Sequence, residues 1–122
     1  MSRAKRMSFE EIRGLVGLAQ RARSLAIGSR EARGGMRRGE LGLILLATDS
    51  SPRDRERLIR VAEEEGVPSF SAGTGQEMGA VVGRGAVSVL GIRDRNLAAG
   101  IAQRLEKSGQ KPLPGPSPMG GD

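Results

Sequence analysis

The basic residues of one short segment, 28–39, have the types and spacing that suggest chemistry. Four arginines lie there, Arg30, Arg33, Arg37 and Arg38, and the first three follow helical spacings of three and four. The start of a helix offers free N–H groups and a partial positive charge, and both favour phosphate. The alternative is a solvated helix face, but like charges at these spacings repel each other, and a purely structural face would usually dilute them with Glu. The segment therefore predicts contact with a nucleic acid.

Two glycines interrupt this predicted helix. Gly34 and Gly35 each cost about 1 kcal/mol of helix stability relative to Ala. Either the helix tolerates the weakening, or the glycines let an RNA backbone approach closely. Both interpretations stay open at the level of the sequence.

A glycine-rich stretch, Gly73-Thr74-Gly75-Gln76-Glu77-Met78-Gly79, suggests a second kind of site. It follows a predicted strand and opens a predicted helix, as a dinucleotide phosphate loop does. However, its spacing is GxGxxxG, it lies in the second half of the chain, and Asp94 is the one candidate for a ribose-binding acid. Nucleotide binding by this loop is therefore kept as an alternative function.

The composition argues against catalysis. The chain has neither cysteine nor histidine, so disulfides, thiolate metal sites and the commonest general base are excluded. Asp49 and Asp54 are interpreted as a strand end and a helix start, and no nucleophile–base pair or ligand cluster is visible. We expect no enzyme, no cofactor and no metal.

The charge distribution indicates an anionic partner, and the hydropathy indicates no membrane-spanning segment. Residues 1–39 hold ten Lys/Arg and three acids, a net charge of +7, whereas residues 40–106 have a net charge of −2. One basic face on a slightly acidic body is typical of nucleic-acid binding. No apolar run approaches the roughly 20 residues that span a bilayer. We expect a cytoplasmic monomer without membrane contact.

The elements that must position these residues follow from periodicity and turn signals. Ser8 with Glu11, and Ser51 with Pro52, are typical helix starts. The predicted helices cover about 9–22, 29–38, 52–65, 76–83 and 94–106, and the predicted strands 25–27, 42–48, 67–71 and 86–92. This alternation predicts an α/β fold, a three-layer α/β/α sandwich with a small mixed four-stranded sheet. Residues 1–7 are expected to form a basic flexible leader, 8–106 the RNA-binding domain, and 107–122 a disordered Pro/Gly-rich tail.

Two signatures, in order, resemble a known family. One has the form Gly-Thr-Asn-Glu-x-x-Lys-x-x-x-x-Gly, here read as residues 28–39, followed by Ala47-Thr48-Asp49 and Pro52. The other is Val67-Pro68, then a Glu-Leu-Gly-x-x-x-Gly pattern, here residues 77–83. Over about 9–105 the chain resembles the kink-turn-binding ribosomal proteins of the large subunit, and residues 17–23 resemble their small bacterial ribosomal-protein-like relatives. The family's Asn is Arg30 here, and its Lys is Gly34.

The resemblance implies the same sandwich fold and binding of a structured, kink-turn-like RNA, with the ribosome as a candidate partner. By this likeness the first signature meets tandem sheared G·A pairs and the loop before the second signature meets the flipped-out nucleotide of the bulge. Arg33 or Arg37 would replace the cation lost at Gly34. A protein-interaction module is a further alternative, because the fold has that role in some relatives. The expected RNA-binding residues are Gly28, Ser29, Arg30, Glu31, Arg33, Gly34, Arg37, Arg38, Ala72, Gly73, Thr74, Gly75 and Gln76.

Overall fold

Helices and strands alternate along residues 8–113, the part of the chain that the computed structural model describes. The four strands form a single sheet among these residues. The predicted elements all occur, although β2 and β4 are three residues shorter than the sequence suggested. In chain order the elements are α1 (Ser8–Arg21), β1 (Leu25–Ile27), α2 (Ser29–Arg37), β2 (Leu43–Leu46), α3 (Pro52–Glu65), β3 (Ser69–Ser71), α4 (Gly75–Val82), β4 (Val89–Ile92) and α5 (Arg95–Lys107).

The sheet is mixed, with the strand order β1-β4-β2-β3. Strand β4 is antiparallel to both β1 and β2, whereas β2 and β3 are parallel. Pro68 directly precedes the edge strand β3, where its missing N–H does least harm to the sheet. Because β1, β2 and β3 all run in the same direction, their carboxyl ends meet at one edge of the sheet.

Helices cover both faces of the sheet. One buried cluster joins α2 and α3 to the sheet through Met36, Ile44, Leu46 and Leu58, and the other joins α1, α4 and α5 to it through residues such as Phe9, Leu45 and Met78. Alternate residues of β2 belong to the two clusters, which explains why this strand is apolar at every position. The predicted three-layer sandwich is confirmed.

Helix α3 begins and ends as its turn signals predict. The Ser51 hydroxyl accepts a hydrogen bond from the N–H of Asp54 at 3.2 Å, and Pro52 occupies the first helical position. Gly66 ends the helix with a φ of 70°. A residue that ends a helix in this left-handed conformation is usually glycine, because glycine has no Cβ to clash. These local signals fix where α3 starts relative to β2.

The first residues of the predicted tail contact the domain. Lys107 is the last residue of α5, and the described chain continues to Leu113. The N–H of Leu113 donates to the carbonyl oxygen of Ser69 at 2.7 Å, and the Leu113 side chain packs against the α2–α3 cluster. This segment therefore satisfies part of the otherwise open edge strand β3. The predicted leader 1–7 and the rest of the predicted tail, 114–122, lie outside the described residues.

Within residues 8–113, no helix has the length and hydropathy needed to cross a membrane.

Candidate nucleic-acid interface

The sheet topology places the two predicted RNA-binding segments at the same edge of the sheet. Residues 28–31, 47–54 and 72–77 follow the carboxyl ends of β1, β2 and β3, and we call the surface that they form the carboxyl edge. The N–H of Thr48 donates to the carbonyl oxygen of Gly73 at 2.8 Å, and the N–H of Gly28 to that of Val89 at 3.0 Å. In open α/β sheets this edge is where ligands bind.

Helix α2 starts at this edge without a side-chain cap. Gly28 is the N-cap, with a φ of 93° that favours glycine, and it makes no side-chain capping bond. In contrast, Ser51, Thr74 and Asp94 cap the starts of α3, α4 and α5 with their side chains. The first N–H groups of α2 and the positive end of its dipole are therefore available to an anion.

Two of the predicted contact residues hold this helix start in place. A Glu31 carboxylate oxygen accepts the N–H of Ile27 at 2.7 Å, and the Ser29 hydroxyl donates to Asp54 at 2.9 Å. Arg30, between them, is exposed. Ser29 and Glu31 thus position the backbone, and Arg30 remains an exposed cation at the start of the helix.

The second segment is a rigid loop of which only part is accessible. The N–H of Gly75 donates to the Asp49 carboxylate at 2.9 Å, and Thr74 and Glu77 form a reciprocal capping box. Ala72, one of the residues predicted to contact RNA, is fully buried in the core. Gln76 is the exposed side chain of this loop.

The same loop does not form a phosphate cradle. The N–H groups of Thr74, Gly75 and Glu77 already donate to protein oxygens, two of which belong to carboxylates. The glycine pattern has an internal cause as well. A Cβ on Gly73 would lie 2.6 Å from the Phe9 ring, and one on Gly79 would collide with the turn that follows α4. The geometry therefore speaks against nucleotide binding by this loop.

Two of the predicted cations are engaged in surface ion pairs. Arg37 lies 2.9 Å from both Glu64 and Glu65. The hydrogen bonds that its guanidinium donates, first to Glu65 and then to Glu64, raise the pKa of Arg37. Arg38 makes a two-pronged contact with Glu40 at 3.0 and 3.2 Å, which raises the pKa of Arg38 and lowers that of Glu40. Exposed pairs of this kind are weak and exchange readily for another anion. Both arginines are fully charged but partly neutralised at the surface.

A groove between α2 and α3 gathers further arginines. The two helices run in the same direction, because Ser29 bonds Asp54 near their starts and Arg37 pairs with Glu64 and Glu65 at their ends. The volume of the groove is about 420 Å³, and we call it the α2–α3 groove. It is lined by Gly34, Val61 and five arginines: Arg30, Arg33, Arg37, Arg57 and Arg60.

Sequence reasoning missed the contribution of α3 to this groove. Arg57 and Arg60 are exposed, and their spacing of three places them on one face of the helix. That spacing was visible in the sequence. The pairing of α3 with α2, which makes the face part of a common groove, was not.

Two of the lining residues, Arg33 and Gly34, have unusual surroundings. Within residues 8–113, the Nε of Arg33 is the one buried side-chain nitrogen or oxygen without a hydrogen-bond partner. A buried donor of this kind costs about 1–3 kcal/mol unless an acceptor reaches it. A Cβ on Gly34 would meet the flexible end of Arg38 at 3.1 Å, whereas one on Gly35 would press on Leu41. Gly35 thus serves internal packing, and Gly34 opens the groove.

Comparison with known proteins gives the family. A family model described as Ribosomal protein L7Ae/L30e/S12e/Gadd45 matches residues 10–100. The chain belongs to this family. The membership confirms the resemblance drawn from the two signatures. It supports RNA binding and the prediction that the chain is not an enzyme.

Two solved structures share the fold. A protein of unknown function from Bacillus halodurans C is 24% identical, with a TM-score of 0.75, and the match covers 78% of this chain and 96% of that one. The 15.5kD RNA binding protein of Giardia lamblia is 23% identical, with a TM-score of 0.72, over 83% of this chain and 89% of that one. No curated protein gives a significant match.

Proposed function

We propose that this chain is a non-enzymatic RNA-binding protein that recognises a bent or internal-loop RNA of the kink-turn type. The observation that carries the proposal is the carboxyl edge. There, Thr48 and Asp49 bond the loop 72–76, and Asp54 accepts the hydroxyl of Ser29 at the uncapped start of α2, so that the exposed Arg30 and the loop lie at the same edge of the sheet.

The chemistry of this edge suits an RNA whose helix is interrupted. The major groove of a regular RNA helix is too deep and narrow for a protein helix, so recognition concentrates at internal loops and bulges. Arg30 can bond O6 and N7 of guanine with both prongs of its guanidinium. The free N–H groups of α2 suit a phosphate, and Gln76 suits the edge of an unstacked base.

The comparisons favour a ribosomal version of this proposal. The family description names ribosomal proteins, and the Giardia lamblia structure is that of an RNA binding protein. A ribosomal RNA partner would place the protein in the cytoplasm.

The test is a panel of RNAs of equal length. It contains a kink-turn RNA, the same RNA with its G·A pairs replaced by Watson–Crick pairs, and a transfer RNA. We expect the kink-turn RNA to bind at least tenfold more tightly than the repaired duplex, since each lost base contact costs about 1–3 kcal/mol. Equal affinity for all three would remove the claim of shape recognition, and calorimetry with ATP and NAD would test the nucleotide alternative.

Binding should also depend on salt. If about four to six arginines contact phosphates, log K should fall against log salt with a slope of about −3 to −5. A slope near zero would contradict the role of the arginines.

A further inference from the structure

We infer that the α2–α3 groove binds the phosphodiester backbone of the RNA segment that leaves the internal loop, with Arg57 and Arg60 of α3 as contact residues. This inference rests on the proposed function. It extends the interface from α2 to a second helix, α3, whose Arg57 and Arg60 belong to neither signature.

The charges of the groove are its first support. Five of its seven lining residues are arginines, and none is acidic. Among the described residues, Arg37 is the one lining arginine that forms salt bridges, to Glu64 and Glu65. Near the starts of the two helices, Glu31 bonds the backbone of Ile27 and Asp54 accepts from Ser29. The other four arginines line one groove without a salt bridge among the described residues, so they repel each other, and phosphate would relieve that repulsion.

The floor of the groove is its second support. The buried Nε of Arg33 has no acceptor within the described residues, although buried polar groups are normally satisfied. Gly34 beside it leaves room for a ligand to approach, because a Cβ there would meet only the movable end of Arg38. A phosphate in the groove would offer acceptors to the guanidinium of Arg33, which lines it. Arg57 and Arg60 would supply the cations that a glycine at position 34 cannot.

Continuity with the carboxyl edge selects RNA as the occupant. Arg30 lines the groove and also lies at the start of α2, so the two surfaces share this residue. The groove then runs along α2 and α3, which point in the same direction, toward Arg37. An RNA strand that enters at the carboxyl edge can continue along it. Guanidinium groups bond phosphate with two parallel prongs, and Arg is the residue best suited to such a site.

The test compares Arg57→Ala/Arg60→Ala with a control of equal charge change, Arg21→Ala/Lys107→Ala, in the opposite helical layer. All four side chains are exposed, so both variants should keep the fold. Affinity for a kink-turn RNA is measured by fluorescence anisotropy over a series of salt concentrations. We expect the groove variant to lose about five- to thirtyfold and its salt slope to become shallower by about 1.4–1.8, with little change for the control. Arg57→Lys/Arg60→Lys should keep the slope but not the full affinity.

A second arm shortens the RNA. The two flanking stems are trimmed one at a time. We expect one of the trims to weaken binding by the wild type, and Arg57→Ala/Arg60→Ala should then bind that trimmed RNA as tightly as the wild type does. If wild type prefers the kink-turn RNA but the two alanine variants bind it equally, the inference is wrong while the proposed function stands. The same holds if the groove variant loses equal affinity with every trimmed RNA. If wild type binds none of the RNAs, both fail.

Discussion

Gly34→Leu separates the stability of α2 from the occupancy of its groove. In the free protein this substitution has room, because its Cβ would meet only the end of Arg38, a flexible side chain that can move. Replacement of a helical glycine by a good helix former should raise the free energy of unfolding by about 0.5–1 kcal/mol and the melting temperature by about 3–6 °C. The same side chain would fill the floor of the groove.

We expect affinity for kink-turn RNA to fall at least about tenfold while stability rises. Exclusion of the backbone from the groove should remove two or three phosphate contacts and make the salt slope shallower by about 2. Thermal melts measure the change in stability, and anisotropy titrations measure the RNA affinity and its salt slope. Damage to the fold would lower both stability and affinity, so it would not explain a rise in stability with a fall in affinity.

Gly14→Leu is the matched control. Gly14 lies in the middle of α1, in the opposite helical layer, and a Cβ there would meet nothing within 4 Å. It should gain similar stability and leave RNA affinity unchanged. If Gly34→Leu binds RNA as tightly as wild type, the groove is not occupied, and Gly34 is merely a tolerated weakness of the helix.

The other predictions concern single residues and pH. Arg30→Ala should weaken the preferred RNA by about 1–3 kcal/mol and relax its base preference in a panel of G·A-site variants; an unchanged preference would exclude base contact by this residue. Gly73→Ala should destabilise the protein by about 2–5 kcal/mol in urea titrations, because φ is 81° and the new Cβ would press on Phe9; a neutral effect would show that the loop is not rigid. Leu113→Ala should cost about 1 kcal/mol in the same assay, because the side chain is partly buried against the α2–α3 cluster, and no loss would return the segment to the predicted tail. RNA affinity should stay flat between about pH 6 and 7, since the chain has no histidine or cysteine; a tenfold change would reveal a titrating group in the interface.

The sequence was informative where local signals agree with each other. Ser51 and Pro52 mark the start of α3 because a side-chain oxygen and a fixed φ act within a few residues, and the structure confirms them. The apolar run of β2 reveals burial on both faces in the same way. These features depend on short-range physics that a single chain displays.

Features that depend on tertiary contact were not predictable in this way. The sequence could not show that Arg37 pairs with Glu64 and Glu65, because these residues come together only when α2 and α3 pack side by side. Likewise, Asp49 was interpreted as a strand end, whereas it accepts the N–H of Gly75 and so fixes the loop. Ala72 fell within the predicted site by analogy of spacing, but the sheet places it in the core.

An amide NMR titration of the full chain with a kink-turn RNA tests the central claim most directly. We expect the amides of residues 28–34 and 74–76, followed by those around residues 57–61, to shift at the lowest RNA concentrations. The amides in the middle of α1 and α5, on the opposite face of the sheet, should remain in place. Shifts centred on α1 and α5, with the carboxyl edge unperturbed, would contradict RNA recognition at this edge.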